Sequence, residues 1–385
     1  MTVAAVGIST EPNTARAALA AAADVRAKLD GDADWAIVFA SDEHQAYATS
    51  LQETLCGALG TPYIAGCSAA GLVAPGCEIE QGPAVGVLAV RSDTLKATPF
   101  FFRDQGDNGL TAATQLGQRM LGSRDSSDLM LVWPDPFTVR PDRLICGVDA
   151  VLPGLPLVGG AASGRGESTW QFCGTDEPSQ GISGMRLAGG LTHVVGVTQG
   201  CAPLGEPLRV TSAHDNLILE VDGRPAYDVL EELAPDGMLS DPTSAMHYLF
   251  VGLAPQDDQY LIRNIVTLDS QTGVVAIADR VAEGAQIVFA LRQPESAQAD
   301  LERMLDRVSP EATGLNYRFG MYFNCLARGS RFYGEPHVDA RAIQRRLPDL
   351  PWLGFFGNAE IGPLRGENRL FTYSGVLLLV AESET

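Results

Sequence analysis

Trp35-Ala-Ile-Val-Phe-Ala40, followed 22 residues later by Pro62-Tyr-Ile-Ala-Gly-Cys-Ser-Ala-Ala-Gly71, decides the fold. It reads as an apolar strand, a helix, a second strand entered by Pro, and a Gly-rich loop. The same pattern returns at Leu129-Met-Leu-Val-Trp133 with Pro156-Leu-Val-Gly-Gly-Ala-Ala-Ser-Gly164. It returns again at Phe319-Gly-Met-Tyr-Phe323 with Pro351-Trp-Leu-Gly-Phe-Phe-Gly-Asn-Ala-Glu-Ile-Gly362. Trp35 to Gly66 and Leu129 to Gly160 span the same interval, so one supersecondary unit is used repeatedly. Loops at the carboxyl ends of strands in α/β sheets are where ligands bind.

Working outward, Thr14–Leu29 is Ala-rich, has Asn13 or Thr14 as cap, and predicts a helix. Residues 41–58 predict a second helix with acids in its first turn. Beyond each Gly loop a further strand is expected: Pro83–Val90, Leu191–Val197 and Tyr373–Val380. The unit is therefore β-α-β-Gly-loop-β. Its crossover implies parallel pairing inside each βαβ, and an antiparallel third strand would make the sheets mixed. The expected class is α/β, with these internally repeated units forming mixed sheets in two pseudo-related halves. Gly and Pro between Thr198 and Glu206 mark a boundary between domains 1–200 and 205–385. After it come a predicted hairpin (208–212 with 217–221), a helix to Leu233, and a helix over Ser296–Val308.

The chain has 385 residues and a net charge of −20, from 47 acids and 27 bases. Its length exceeds the roughly 250–300 residues at which one core stops growing, so two domains are expected. The acidity argues against nucleic acid, which demands a cationic footprint, and against anionic membranes. No apolar run reaches the roughly 18–20 residues that span a bilayer. The seven cysteines show no Cys-x-x-Cys spacing and lie in apolar or Gly-rich context, as in reduced thiols of a cytoplasmic protein.

The chemistry-bearing residues lie in the loops. Gly66, Cys67, Ser68 and Gly71 offer main-chain N–H groups that could cradle a carboxylate or phosphate, and Gly160 sits in the matching loop. Ser68 or Cys67 as a hydrolase nucleophile is the weaker alternative. The loop reads G-x-S-x-x-G rather than the G-x-S-x-G elbow, and no helix follows it. Asn324, Cys325, Arg328 and Gly329 follow the first strand of the third unit, where an Arg suits a bidentate grip on an anion or a pairing with Glu360. Gly357, Asn358 and Glu360 complete the set, Glu360 being suited to an ammonium group. No metal-ligand spacing is present.

These loops carry a family resemblance. Gly66-Cys-Ser-Ala-Ala-Gly71 resembles the Gly-Cys-Ser-Thr-Ala-Gly-Glu signature of the FIST family, with Leu72 where that signature has Glu. Leu208–Leu233 resembles the start of its C-terminal half. Asn324-Cys-Leu-Ala-Arg-Gly329 resembles its Cys-x-x-Arg-Gly element. Gly354–Gly362 resembles its Gly-Phe-Phe-x-Gly-Gly-Glu-Ile-Gly element, with Ala359 for the second Gly. The resemblance implies FIST N- and C-terminal domains and a sensory protein of signal transduction. Such a protein binds a small molecule, amino acids among those proposed, and signals through a separate partner such as a histidine kinase. Catalysis and a cofactor are not expected. The resemblance also admits a haem-based nitric-oxide sensor, for which His247 and His193 are the axial candidates.

Overall fold

Each apolar stretch quoted above is a buried strand because both of its faces are covered, which suits continuous rather than alternating apolar residues. In the computed structural model the described residues are 2–383, except 104–105, 108, 121–124, 126, 167 and 257–258. The chain forms two compact units. One comprises residues 1–198, 302–370 and 374–385, and the other 199–301 and 371–373.

The larger unit carries the three repeats. Repeat one has strands β1 (Trp35–Ser41), β2 (Ile64–Ala69), β3 (Leu72–Ala74), β4 (Cys77–Ile79) and β5 (Val85–Ser92). Repeat two has β6 (Leu129–Pro134), β7 (Leu157–Gly160), β8 (Gln171–Cys173) and β9 (Ile182–Ala188). Repeat three has β10 (Tyr317–Cys325), β11 (Trp352–Gly357), β12 (Glu360–Leu364) and β13 (Ser374–Glu382). In every repeat the first two strands pair in parallel: β1 with β2, β6 with β7, β10 with β11. In every repeat the last strand returns antiparallel to the first: β5 on β1, β9 on β6, β13 on β10. The mixed sheets expected from the repeat are therefore present.

The register refines two expectations. Val38 faces Gly66, Val132 faces Gly159, and Tyr322 faces Gly354, so the repeated glycine of the second unit is Gly159 and not Gly160. The reason is steric. A Cβ on Gly66, Gly159 or Gly354 would stand 1.7, 1.9 or 1.6 Å from the carbonyl oxygen of the facing residue. The last strand of repeat two is β9, whereas Leu191–Gln199 joins the edge of the third repeat's sheet beside β13. Both runs are apolar and only Gly189-Gly190 separates them, so local pattern does not distinguish their partners.

The short strand after each loop leaves its own repeat. β3 pairs with β11, β8 with β2, and β12 with β7. First joins third, second joins first, and third joins second, which closes a ring of three repeats. Phe39, Trp133 and Phe323, each one residue beyond the glycine-facing position, occupy the shared core. Phe39 lies edge-on to Trp133 at 5.5 Å and to Phe323 at 6.4 Å, a favoured aromatic geometry.

Helices cover the sheets. α1 (Thr14–Leu29) is capped as expected, the Asn13 side chain accepting from the Arg16 N–H at 3.0 Å. The predicted 41–58 helix is instead a 3₁₀ segment, Asp42–Tyr47, followed by α2 (Ala48–Leu59). α3 (Pro141–Val151) is the crossover of repeat two. In repeat three the crossover holds α4 (Ser330–Tyr333) and α5 (Val338–Arg346).

The smaller unit is an antiparallel barrel. The strand Gln286–Arg292 pairs with Leu208–His214 at one side and with Leu249–Gln256 at the other. The path between those two through Leu217–Val221, Val274–Ile277 and Gln259–Asp269 closes the circle. The helix Ala226–Leu233 contributes Ala226, Tyr227, Val229 and Leu230 to its core. The predicted hairpin at 208–221 is present.

Candidate ligand site

The three Gly loops meet inside the larger unit and are laced to one another. Ser68 N–H donates to the Trp170 carbonyl at 2.8 Å, and Trp170 N–H donates to Ser68 Oγ at 3.2 Å. Ser68 Oγ donates to the Ser163 carbonyl at 3.1 Å, and Ala70 N–H donates to Ser163 Oγ at 2.9 Å. Ser163 Oγ in turn donates to the Phe356 carbonyl. Phe356 N–H donates to the Gly71 carbonyl at 3.0 Å, and Asn358 N–H to the Ala161 carbonyl at 3.1 Å. The Asn358 side chain, on an exposed residue, adds a bond from Nδ2 to the Ala162 carbonyl at 2.9 Å. Leu326 N–H donates to the Gly357 carbonyl at 3.0 Å. The Ser68 amide, read as part of an anion cradle, and the nearby Ala70 amide are thus engaged by protein, as buried amides generally are. Gly66, Cys67, Ser68, Gly71, Gly160, Gly329 and Gly357 are all buried. Ser68 Oγ bonds main chain on both sides, and burial pushes the Cys67 thiol well above its ordinary range, so neither is arranged as an activated nucleophile.

Polar capacity is left over at the third loop. Arg328 is wholly buried, and its guanidinium grips Asp339 from α5 through Nε (3.2 Å to Oδ2) and Nη2 (3.4 Å to Oδ1). Asp339 also accepts from the hydroxyls of Tyr322 at 2.8 Å and Tyr333 at 2.7 Å. The partner of Arg328 is therefore Asp339 rather than Glu360, which the sequence offered as one possible partner. Glu360 Oε2 accepts from Ser374 Oγ at 2.7 Å, and the Cys325 thiol hydrogen-bonds the same carboxyl. Burial, and after it the charge of Asp339, pushes the Tyr322 hydroxyl well above its ordinary value, so it remains a donor.

Within this cluster three buried polar atoms have no protein partner: Asn324 Nδ2, Arg328 Nη1 and Glu360 Oε1. All three belong to residues singled out from the sequence. Leaving such atoms unsatisfied costs about 1–3 kcal/mol each, more when charged, so their retention is informative. The ring explains why the Glu360 carboxyl has no counterpart in the other repeats. Glu360 pairs across from Gly160, Leu72 from Phe355, and Gln171 from Cys67, so Glu360, Leu72 and Gln171 are equivalent positions. Leu72 is apolar, and Gln171 is satisfied by Thr169 Oγ1 at 3.0 Å and Gly181 N–H at 3.0 Å. Asp339, Tyr322, Tyr333 and Ser374 went unread in the sequence. Tyr322 lay inside a quoted strand, whereas Asp339 looks like any acid in the first turn of a helix.

Burial pushes the Glu360 carboxyl up to about 8, against the opposing pull of the Ser374 hydrogen bonds. The unfolded carboxyl ionises near 4.5. Its contribution to stability is thus fully present below about pH 4.5 and lost as pH rises through about 8. The urea midpoint is expected to fall between pH 5 and pH 9, and to fall less in Glu360→Gln, which stays neutral. A variant that tracks the wild-type curve would exclude Glu360 as a titrating group.

Two open clefts lie at the other end of β11, before Trp352. One, of about 460 Å³, is lined by Val6, Asp24, Lys28 and Pro348–Pro351. The other, of about 400 Å³, is lined by Tyr317, Arg346 and Pro348–Leu350. Neither involves His193, half-buried on Leu191–Gln199, or His247, exposed beyond the short helix Pro242–Ala245. Nothing in these clefts fits the haem alternative, which needs an axial histidine in an apolar pocket. Among the described residues no group of His, Cys, Asp and Glu is arranged for a metal ion, and all seven cysteines are thiols. No helix among them is long and apolar enough to cross a membrane.

The larger unit is thus an α/β ring of three repeats with a buried polar cluster where its third loop meets the others. The chain belongs to the FIST family: the FIST N domain matches residues 34–224 and the FIST C domain residues 226–363. FIST domains are in general sensory, ligand-binding domains of signalling. The chain is 33% identical over 389 residues to the uncharacterized protein Rv0628c of Mycobacterium tuberculosis, covering 98% of this chain and 99% of that one. It is 32% identical over 388 residues to the uncharacterized protein Mb0898c of Mycobacterium bovis, covering 98% of each. Among solved structures, a cyanuric acid hydrolase aligns over 100% of both chains at 9% identity, with a TM-score of 0.40, too low to bear on function.

Proposed function

We propose that this protein is a cytoplasmic sensor of a small polar metabolite, with amino acids the first class to test. Asn324, Arg328 and Glu360 receive the ligand, and its occupancy passes to a separate signalling partner such as a histidine kinase. The observation that supports this reading is the set of three buried, unpartnered polar atoms on residues of a single loop cluster. Arg328 Nη1 and Asn324 Nδ2 supply donors for a carboxylate, and Glu360 Oε1 receives an ammonium or hydroxyl group. A ligand that completes these bonds recovers the desolvation cost already incurred by the fold.

A melting screen against amino acids, organic acids and nucleotides tests it. A ligand at one hundred times its Kd stabilises by about 2.7 kcal/mol, which moves the transition visibly. One metabolite class is expected to raise the Tm of the wild-type protein, and Glu360→Gln and Asn324→Ala are expected to weaken that effect at least tenfold. A shift that survives in both variants, or none from any class, overturns the assignment. A Soret band in the purified protein would replace it with the haem reading.

A further inference from the structure

We propose that Glu78 and Glu80 fasten residues 329–340 as a lid over the Asn324–Arg328–Glu360 cluster, and that release of this lid is the step that admits ligand. The inference rests on the small-ligand reading of that cluster. Asn324, Arg328, Asp339 and Glu360 are all fully buried, so a ligand reaches them only if a covering segment moves. The segment between β10 and α5 is that cover. Tyr333 is half-buried, its hydroxyl on Asp339 and its ring 5.9 Å from the Arg328 guanidinium, while Gly334, Glu335 and Pro336 beyond it are exposed. Both ends of this exposed stretch have left-handed backbone: Gly334 at φ 78° and His337 at φ 66°. In a non-glycine residue that conformation is strained, so the surroundings must hold His337 in place.

The hold comes from the β3–β4 hairpin of repeat one. Glu80 accepts from Ser330 N–H at 2.8 Å and Ser330 Oγ at 3.1 Å. It sits so close that a Cβ on Gly329 would stand 2.3 Å from its carboxylate. Glu78 accepts from His337 N–H at 3.2 Å and Ala340 N–H at 3.0 Å, and its own N–H donates to His337 Nδ1 at 2.9 Å. Two acids two residues apart thus tie down both ends of the segment that carries Tyr333. They do so by hydrogen bonds from backbone amides, which favour the ionised form of Glu78 against the burial that pushes its carboxyl up to about 7. β4 is an edge strand, so the hairpin can shift without breaking a ladder on its outer side.

Cys325, at the inner end of the cluster, reports access without any ligand. The full-length Glu78→Gln/Glu80→Gln variant and the wild type are treated with N-ethylmaleimide, and each cysteine is followed by peptide mass mapping. Weakening these bonds is expected to speed Cys325 alkylation about tenfold or more, with Cys67 beneath the interlaced loops unchanged. An unchanged Cys325 rate overturns the lid, and so does equal acceleration of Cys67, which would mean general unfolding. If the double variant does not fold, native hydrogen exchange of the wild type decides. The amides of Ser330, His337 and Ala340 are expected to exchange together and faster than those of β11, and equal protection overturns the lid. Because no ligand enters either experiment, the lid and the identity of the site fail independently.

Discussion

Asp339→Ala is expected to destabilise the larger unit by about 3–5 kcal/mol, the cost of leaving one partner of a buried ion pair uncompensated. The guanidinium of Arg328 is wholly buried, and Asp339 supplies both of its charge contacts along with the acceptors for two tyrosine hydroxyls. Nothing else in the cluster replaces it, since burial pushes the Glu360 carboxyl up to about 8 and leaves it largely uncharged at neutral pH. The melting temperature should fall by roughly 10 °C. Removing both members, as in Arg328→Met with Asp339→Leu, should recover much of the loss, because the penalty lies in the orphaned charge rather than in the missing attraction. A double variant no more stable than Asp339→Ala would show that the pair does more than neutralise itself.

Gly354→Ala should be at least as damaging, on the order of 3 kcal/mol or more. Its Cβ would stand 1.6 Å from the Tyr322 carbonyl oxygen, a main-chain atom of the neighbouring strand that no side-chain rotation can move. Gly66→Ala and Gly159→Ala meet the same obstacle at 1.7 and 1.9 Å. Gly57→Ala is the contrasting case. It sits exposed in α2 with no atom near the added methyl, and it should gain about 0.5–1 kcal/mol from better helix propensity. Urea titrations of the four variants check the ordering. A mild effect at Gly354 would mean that the strands of a repeat can separate without cost.

Those glycines show how much was legible. The strand–crossover–strand unit is written locally, in apolar runs, a Pro at strand entry and Gly where two backbones close up, so its threefold use could be read directly. Family elements around Arg328 and Glu360 likewise brought out residues that the fold gathers into one cluster. What a linear reading misses is who sits beside whom. Gly159 and Gly160 are adjacent, and only the facing Val132 distinguishes them. Ile182–Ala188 and Leu191–Gln199 are equally apolar, and their different sheets are settled by distant partners. Asp339 is paired with Arg328 by the turn of a crossover, and no residue type announces that.

The exchange of short strands between repeats also has a bearing on how the protein is made. Leu72–Ala74 pairs with Cys77–Ile79 on one side, but its other edge is covered only when Gly354–Phe355, almost at the end of the chain, has been made. At about 5–20 residues per second, the first repeat waits roughly 15–60 s on the ribosome with that edge uncovered. Over this interval the nascent chain exposes an apolar strand to any neighbour able to pair with it. Chaperone demand during synthesis, rather than stability once finished, is therefore where this architecture should be most exacting.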